Sequence, residues 1–360
     1  MSSHASLDLS RSSVELTSDI YNIESVSGNE KTLADAIETA LTGLPHLEII
    51  RNGNALVAKT NLGRAQRVVI AGHIDTVPVN NNLPVRYSED EGAEWLWGRG
   101  TVDMKAGVAV AVKLAAELAE PGYDITWIWY DNEEVASELN GLGRLATVSP
   151  ELLQADFAIL GEPSNSTVEG GCNGTLRVEV RTHGVRAHSA RAWKGENAIH
   201  KLAPALAALA AYSPATVTVD GLDYREGLSA VGVSGGVAGN VIPDEAVLTV
   251  NYRFAPDKTV AQALAHVEEV FAGFEVVVTD SAEGARPGLT AALAQDFVAA
   301  VGAVPMPKYG WTDVARFSAL GIPAVNFGPG DPSLAHTDDE RVLTAQILEC
   351  ERALRSWLTK

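Results

Sequence analysis

Three short apolar runs decide most of what this chain can become. RVVIAG at residues 67–72, ITWIWY at 125–130 and FAIL at 157–160 are almost unbroken stretches of strand length. A strand with one wet face alternates between apolar and polar residues; these do not. Such runs suit strands buried on both faces, as in a parallel or mixed sheet covered by helices. Helical periodicity covers about Ser12–Leu41, and a helix is expected at about Met104–Ala119. Strands are expected near Leu47–Thr60, Arg67–Ala71, Ile125–Tyr130 and Phe157–Leu160. Helices and strands in this succession point to the α/β class.

From about Thr175 the texture changes. TLRVEVRTHG alternates, a helix is expected at Asn197–Tyr212, and strands at Ala215–Val219, Gly227–Val237 and Ala246–Phe254. A helix at Thr259–Phe271 and the strand EVVVT complete a self-contained α+β unit. The first texture then returns, with a helix at about Leu289–Val301, a strand at Ala324–Phe327 and a helix at Thr344–Leu358. The expected organisation is a discontinuous domain of residues 1–174 and 286–360, carrying an inserted domain of residues 175–285.

Charge and composition remove several classes of function. The 360 residues carry 27 basic and 46 acidic side chains, a net charge of −19, and no Lys/Arg cluster. A nucleic-acid partner is not expected, and the acidity disfavours anionic membrane surfaces. No run of 18 apolar residues would span a bilayer. The opening MSSHASLDLSRSSVEL lacks the apolar core of a secretion signal. Cys172 and Cys350 form no disulfide framework and have no cysteine at metal-ligand spacing. The expected compartment is the cytoplasm.

The apolar strands end on chemistry. RVVIAG runs into His73 and Asp75, ITWIWYDN into Glu133 and Glu134, FAILG into Glu162, and PAVNFGPGDPSLA into His336. If the strands are parallel, these side chains converge on the sheet edge where ligands of open α/β folds bind. Asp103, just before the Met104–Ala119 helix, joins them; an isolated Asp there would be an N-cap. Two imidazoles and several carboxylates without a thiolate suit a catalytic zinc site better than a structural one. They also suit two ions about 3.5–4 Å apart. Without cations, so many acids would repel one another. If the Glu133–Glu134 stretch is extended, the two side chains point to opposite sides, so one can bind metal while the other faces the reacting water. In an extended His73-x-Asp75, the Asp75 carboxylate can accept from the imidazole nitrogen that is not on the metal.

Together, GHIDTVP, GRGTVDMKAG, the Glu133–Glu134 pair, GEP with Glu162, and SLAHTDDE with His336 resemble the aminoacylase/carboxypeptidase-type family of dinuclear zinc hydrolases. The resemblance spans nearly the whole chain. It implies a zinc-peptidase-like catalytic domain with a mixed, mostly parallel sheet, and an inserted lid or dimerisation domain. It implies two Zn²⁺, with Co²⁺ or Mn²⁺ as alternatives at one site. His73 and Glu162 would hold one ion, Glu134 and His336 the other, with Asp103 bridging and Glu133 as general base. A cis peptide is implied at Asp103–Met104. His188 would meet the oxyanion, in the family often from the partner subunit. Asn240, Arg253 and Thr312 would contact substrate. The substrate implied is a small anionic N-acyl amino acid, the assembly a homodimer through the inserted domain. The implied activity is removal of succinate from N-succinyl-LL-diaminopimelate, with N-acetylornithine deacetylation or cleavage by a small metallo-dipeptidase or carboxypeptidase as alternatives.

The chain departs from the family pattern around the acyl pocket. Arg191 stands where an aromatic is usual, Cys172-Asn173 where arginines are frequent, and the late loop reads YGWTDVARF. Arg191 offers a positive charge in exchange. Two rival readings are weaker. Gly232-Val233-Ser234-Gly235-Gly236 matches a nucleophile elbow in letters, yet a proline and another strand follow where a helix is required. A non-catalytic binding protein would be expected to have lost part of the ligand set, which is complete here.

Overall fold

The structure is a computed structural model and describes residues 6–90 and 92–360. The first five residues of the N-terminal segment considered above lie outside these. The chain divides into two compact units. The first runs to Gly170 and takes in Pro287–Met306 and Thr312–Lys360. The second comprises Gly171–Arg286 and Pro307–Trp311.

The first unit is organised by the apolar runs. Arg67–His73 pairs in parallel with Asp124–Tyr130 on one side and Phe157–Leu160 on the other. Phe157–Leu160 pairs in parallel with Ala324–Asn326. The hairpin Glu48–Asn52/Ala55–Lys59 extends this mixed sheet in the antiparallel sense beside Asp124–Tyr130. Every residue of Asp124–Tyr130 and Phe157–Leu160 is buried, as strands covered on both faces require. The helices Ser13–Tyr21, Ala106–Glu117, Ala292–Val301 and Thr344–Leu358 contribute apolar side chains to the same core. Its aromatic centre is Phe157, Phe297 and Trp357, with Phe297 and Trp357 ring centroids 5.0 Å apart. Each such side chain contributes roughly 2–3 kcal/mol of apolar burial.

The second unit is an antiparallel sheet ordered Gly227–Gly235, Glu245–Phe254, Gly174–His183, Glu275–Ala282. Burial along Glu245–Phe254 alternates residue by residue, as in a sheet with one covered face. Leu176, Val178, Val180, Leu248, Val250 and Phe271 are part of its core.

Three local expectations need correction. The helical stretch Ser12–Leu41 is two helices, Ser13–Tyr21 and Lys31–Leu41. Ser12 and Glu15 close a capping box on the first helix, and Gly28 in the intervening turn has φ of 89°. The helix Asn197–Tyr212 is likewise two, Ala198–Lys201 and Ala203–Ala211, with Pro204 in the first turn of the second. A hairpin, Arg86–Asp90 with Ala93–Trp97, was not foreseen. It pairs with Arg341–Leu343 and is largely exposed, so no apolar period marks it. No helix among the described residues is long and apolar enough to cross a membrane.

Candidate metal centre

Parallel pairing puts the carboxyl ends of four strands on one edge of the first unit. His73 ends its strand. Glu133 and Glu134 follow Asp124–Tyr130, Glu162 follows Phe157–Leu160, and His336 lies on the loop after Ala324–Asn326. His336 holds a left-handed backbone, φ 64°. Asp103 sits in the Thr101–Lys105 turn that leads into Ala106–Glu117. The Asp103–Met104 peptide is cis. This edge is closely packed. A Cβ on Gly107 would come 2.2 Å from the Gly161 carbonyl oxygen, beside Glu162.

The seven groups of the candidate centre split into bridging and flanking members. Asp103 lies between the two histidines: its Oδ1 is 3.1 Å from His73 Nε2, and its Oδ2 is 3.2 Å from His336 Nε2. His336 Nε2 is also 2.8 Å from Glu134 Oε1. Three groups bring candidate ligand atoms within 4.8 Å of one another: His73, Asp103 and Glu162; Asp103, Glu134 and His336; and His73, Glu133 and Glu134. His73, Asp75 and Glu162 are buried, while His336 reaches the surface.

Asp75 has partners beyond His73. His73 Nδ1 is 3.1 Å from the Asp75 backbone oxygen and 3.5 Å from its carboxylate. The carboxylate itself accepts from the backbone N–H groups of Glu133 at 3.0 Å and Glu134 at 3.1 Å, and from the Ser27 hydroxyl at 2.7 Å. Asp75 therefore anchors the two glutamates as much as it faces the imidazole. The glutamates are not on an extended stretch. Asn132 before them is left-handed, φ 59°, and the segment bends, so both side chains can approach His73.

Charge in the centre is out of balance without a cation. Burial, with the carboxylates of Asp313, Glu162 and Glu134, pushes Glu133 well above the ordinary carboxylate range despite His73 nearby. Burial and Asp103 raise Glu134 against the pull of His336. Burial alone would raise Asp103, but hydrogen bonds to His336 and His73 bring it below the usual range. Hydrogen bonds to Asp103 and Glu134 raise His336 to about 10. Burial opposes a charge on His73, yet Asp103 and Asp75 raise it well above its usual value. Carboxylates pushed upward beside histidines pushed upward mark a place that favours positive charge. Nitrogen and oxygen donors, no thiolate, and a carboxylate facing two histidines fit a pair of catalytic divalent ions.

The remaining candidates lie elsewhere. Thr312 is buried in the first unit and donates its hydroxyl to Asn326 Oδ1 at 2.9 Å. His188, Arg191, Asn240 and Arg253 belong to the second unit. The first three are exposed and close in the chain fold, since the Ser189 N–H donates to the Asn240 carbonyl at 2.9 Å. His188 Nδ1 accepts from the Ala190 N–H at 3.0 Å. Arg253 is half-buried on Glu245–Phe254, and burial followed by the Arg177 charge lowers its pKa. Ser234 lies on an exposed edge strand with no helix after it, unlike a nucleophile elbow.

Two residues of the centre escaped the sequence reading. Ser27 carries no signal in SVSGN beyond that of a turn. Glu340, in the acidic run DDE after His336, reads as a solvated charge yet is fully buried.

Comparison with known proteins bears on the family and the fold. The sequence profile of Peptidase family M20/M25/M40 matches residues 69–360. A Corynebacterium glutamicum succinyl-diaminopimelate desuccinylase is 48% identical, covering 98% of each chain. A Mycobacterium tuberculosis protein that bears the same enzyme name provisionally is 54% identical, covering 98% of this chain and 99% of its own. Among solved structures, a Staphylococcus aureus tripeptidase superposes with a TM-score of 0.77 at 21% identity, covering 98% of each chain. A Bacillus subtilis protein described as a dinuclear metal-binding peptidase of the M20 family superposes with a TM-score of 0.70 at 17% identity, covering 96% of each chain. The chain belongs to the peptidase family M20/M25/M40.

Proposed function

We propose that this chain is a two-metal amide hydrolase that removes succinate from N-succinyl-LL-diaminopimelate, leaving LL-diaminopimelate. The observation that carries the reaction class is Asp103, whose two oxygens face His73 and His336 separately at 3.1 and 3.2 Å. Asp103, His73 and Glu162 would hold one ion; Asp103, Glu134 and His336 would hold the other. Bound there, two Zn²⁺, or Co²⁺ or Mn²⁺ at one position, would acidify a shared water and polarise the amide carbonyl. The choice of substrate rests on the desuccinylases at 54% and 48% identity.

Glu133 is the general base. It takes the proton of the attacking water and delivers it to the amine nitrogen as the C–N bond breaks. Asp75 holds it in place through the backbone N–H groups of Glu133 and Glu134. His188 donates to the oxyanion. Arg253 and Asn240 bind substrate carboxylates, and Arg191 the acyl end. Supporting Arg253 is a half-buried guanidinium with no ion pair among the described residues. Thr312 would first have to release its hydroxyl hydrogen from Asn326 before donating to a substrate carboxylate. The acyl group is tested by measuring kcat/KM for N-succinyl-LL-diaminopimelate and N-acetylornithine side by side. A large preference for the succinyl compound is expected; preference for the acetyl compound would keep the chemistry and refute the substrate.

Residues 175–285 are proposed as a lid that pairs two copies. Supporting this, Gly227–Gly235 is an edge strand of its sheet, and Val231 and Val233 are 60% and 65% exposed. Val233→Lys is expected to turn a dimer into a monomer by light scattering; an unchanged mass would remove this edge from the interface. Two cysteines in 360 residues, too few for a disulfide framework, support a reducing, cytoplasmic compartment.

Metal uptake should be linked to protons. His336, raised to about 10, is protonated at pH 7 in the metal-free protein and must be neutral to ligate. Zinc titrations at pH 7 in buffers of different ionisation enthalpy should report release of at least one proton, and affinity should fall as pH falls. The sign for folding runs the other way. The His336 contribution to metal-free stability is complete below its ordinary value of 6.5 and is lost as pH rises through about 10. Zinc uptake without proton release would contradict both.

A further inference from the structure

We infer that Glu340 is a positioning residue that sets the geometry of the Asp103 bridge. Glu340 is fully buried and lies on the loop that carries His336. Its Oε1 accepts three backbone N–H groups from the opposing turn: Gly100 at 2.8 Å, Val102 at 3.1 Å and Asp103 at 3.2 Å. Its Oε2 accepts from Arg99 Nη1 at 2.9 Å. Its backbone carbonyl accepts from the Gly98 N–H at 2.7 Å. Five donors from the segment 98–103 thus converge on one residue.

The turn is shaped for this contact. Gly100 has φ of 84°, and a Cβ there would come 2.5 Å from Thr76 Cγ2. The left-handed backbone points successive N–H groups inward, a concavity that binds an anion. Glu340 fills it. The same side chain therefore fixes the backbone of the bridging carboxylate from within the loop that supplies His336. Among the described residues, its side chain hydrogen-bonds to Arg99 and to backbone N–H groups, and to no ligand side chain. It acts through the N–H of Asp103, as groups behind metal ligands commonly do.

This inference rests on the metal assignment proposed above. Its test is zinc titration by calorimetry into metal-free wild type, Glu340→Gln and Glu340→Asp, with Tm recorded before and after loading. Gln keeps the size but turns N–H donors toward donors; Asp keeps the charge at shorter reach. Glu340→Gln should bind at least one zinc about 10–100-fold more weakly. Its metal-free Tm should fall, because the buried Arg99 loses its charged partner, and the gain in Tm on loading should shrink as well. Glu340→Asp should fall between the two. Wild-type affinity in Glu340→Gln would overturn the inference. So would a drop in metal-free Tm with an unchanged gain on loading, or failure of both variants to fold, since each marks a residue of the fold alone. If only the Gln variant fails to fold, the Asp variant is judged by the same criteria. Wild type that takes up no zinc would instead refute the metal assignment.

Discussion

Glu133→Gln should lower kcat by roughly 10²–10⁴-fold, the usual worth of a positioned general base, while two metal ions remain bound. The amide keeps the side chain's size but cannot take a proton from water. Glu133 belongs to the donor group with His73 and Glu134, but not to the two groups that share Asp103. The expected result is an inactive, metal-loaded protein: elemental analysis gives two ions per chain and steady-state kinetics gives the loss. Near-wild-type turnover would remove Glu133 as the base. Loss of one ion would make it a ligand instead.

Asp103→Ala should cost more. Its carboxylate is the member common to the His73–Glu162 and Glu134–His336 groups. Removing an outer hydrogen-bond partner of a ligand typically costs about 10–100-fold in metal affinity or activity; removing a shared ligand should exceed that at both positions. Zinc content after dialysis should fall from two to one or fewer, and turnover to background. Two ions at wild-type affinity would remove Asp103 from the ligand set.

Much of this was legible because the buried strands announce themselves. RVVIAG, ITWIWY and FAIL could only be covered on both faces, and parallel pairing then placed His73, Glu133, Glu134 and Glu162 on one edge. His336 was legible for the same reason, as the residue beyond the last parallel strand. What escaped depends on contacts distant in sequence. His73-x-Asp75 suggested a pair within three residues; it gave no sign that the Asp75 carboxylate also binds N–H groups 58 and 59 residues away. Nothing in Glu133–Glu134 reveals the left-handed Asn132 that bends the segment. Glu340 was hidden by composition, since an acidic run after a loop is usually solvated and only the folded turn 98–103 supplies its donors. The break after Tyr21 was missed because apolar periodicity resumes across it.

The most direct test of the two-metal amide hydrolase is turnover of N-succinyl-LL-diaminopimelate followed as metal-free protein is titrated with zinc. Activity should be absent without metal, reach its maximum at two zinc ions per chain, and vanish again on chelation. Turnover that persists after the metal is removed, or none at full zinc loading, would contradict it.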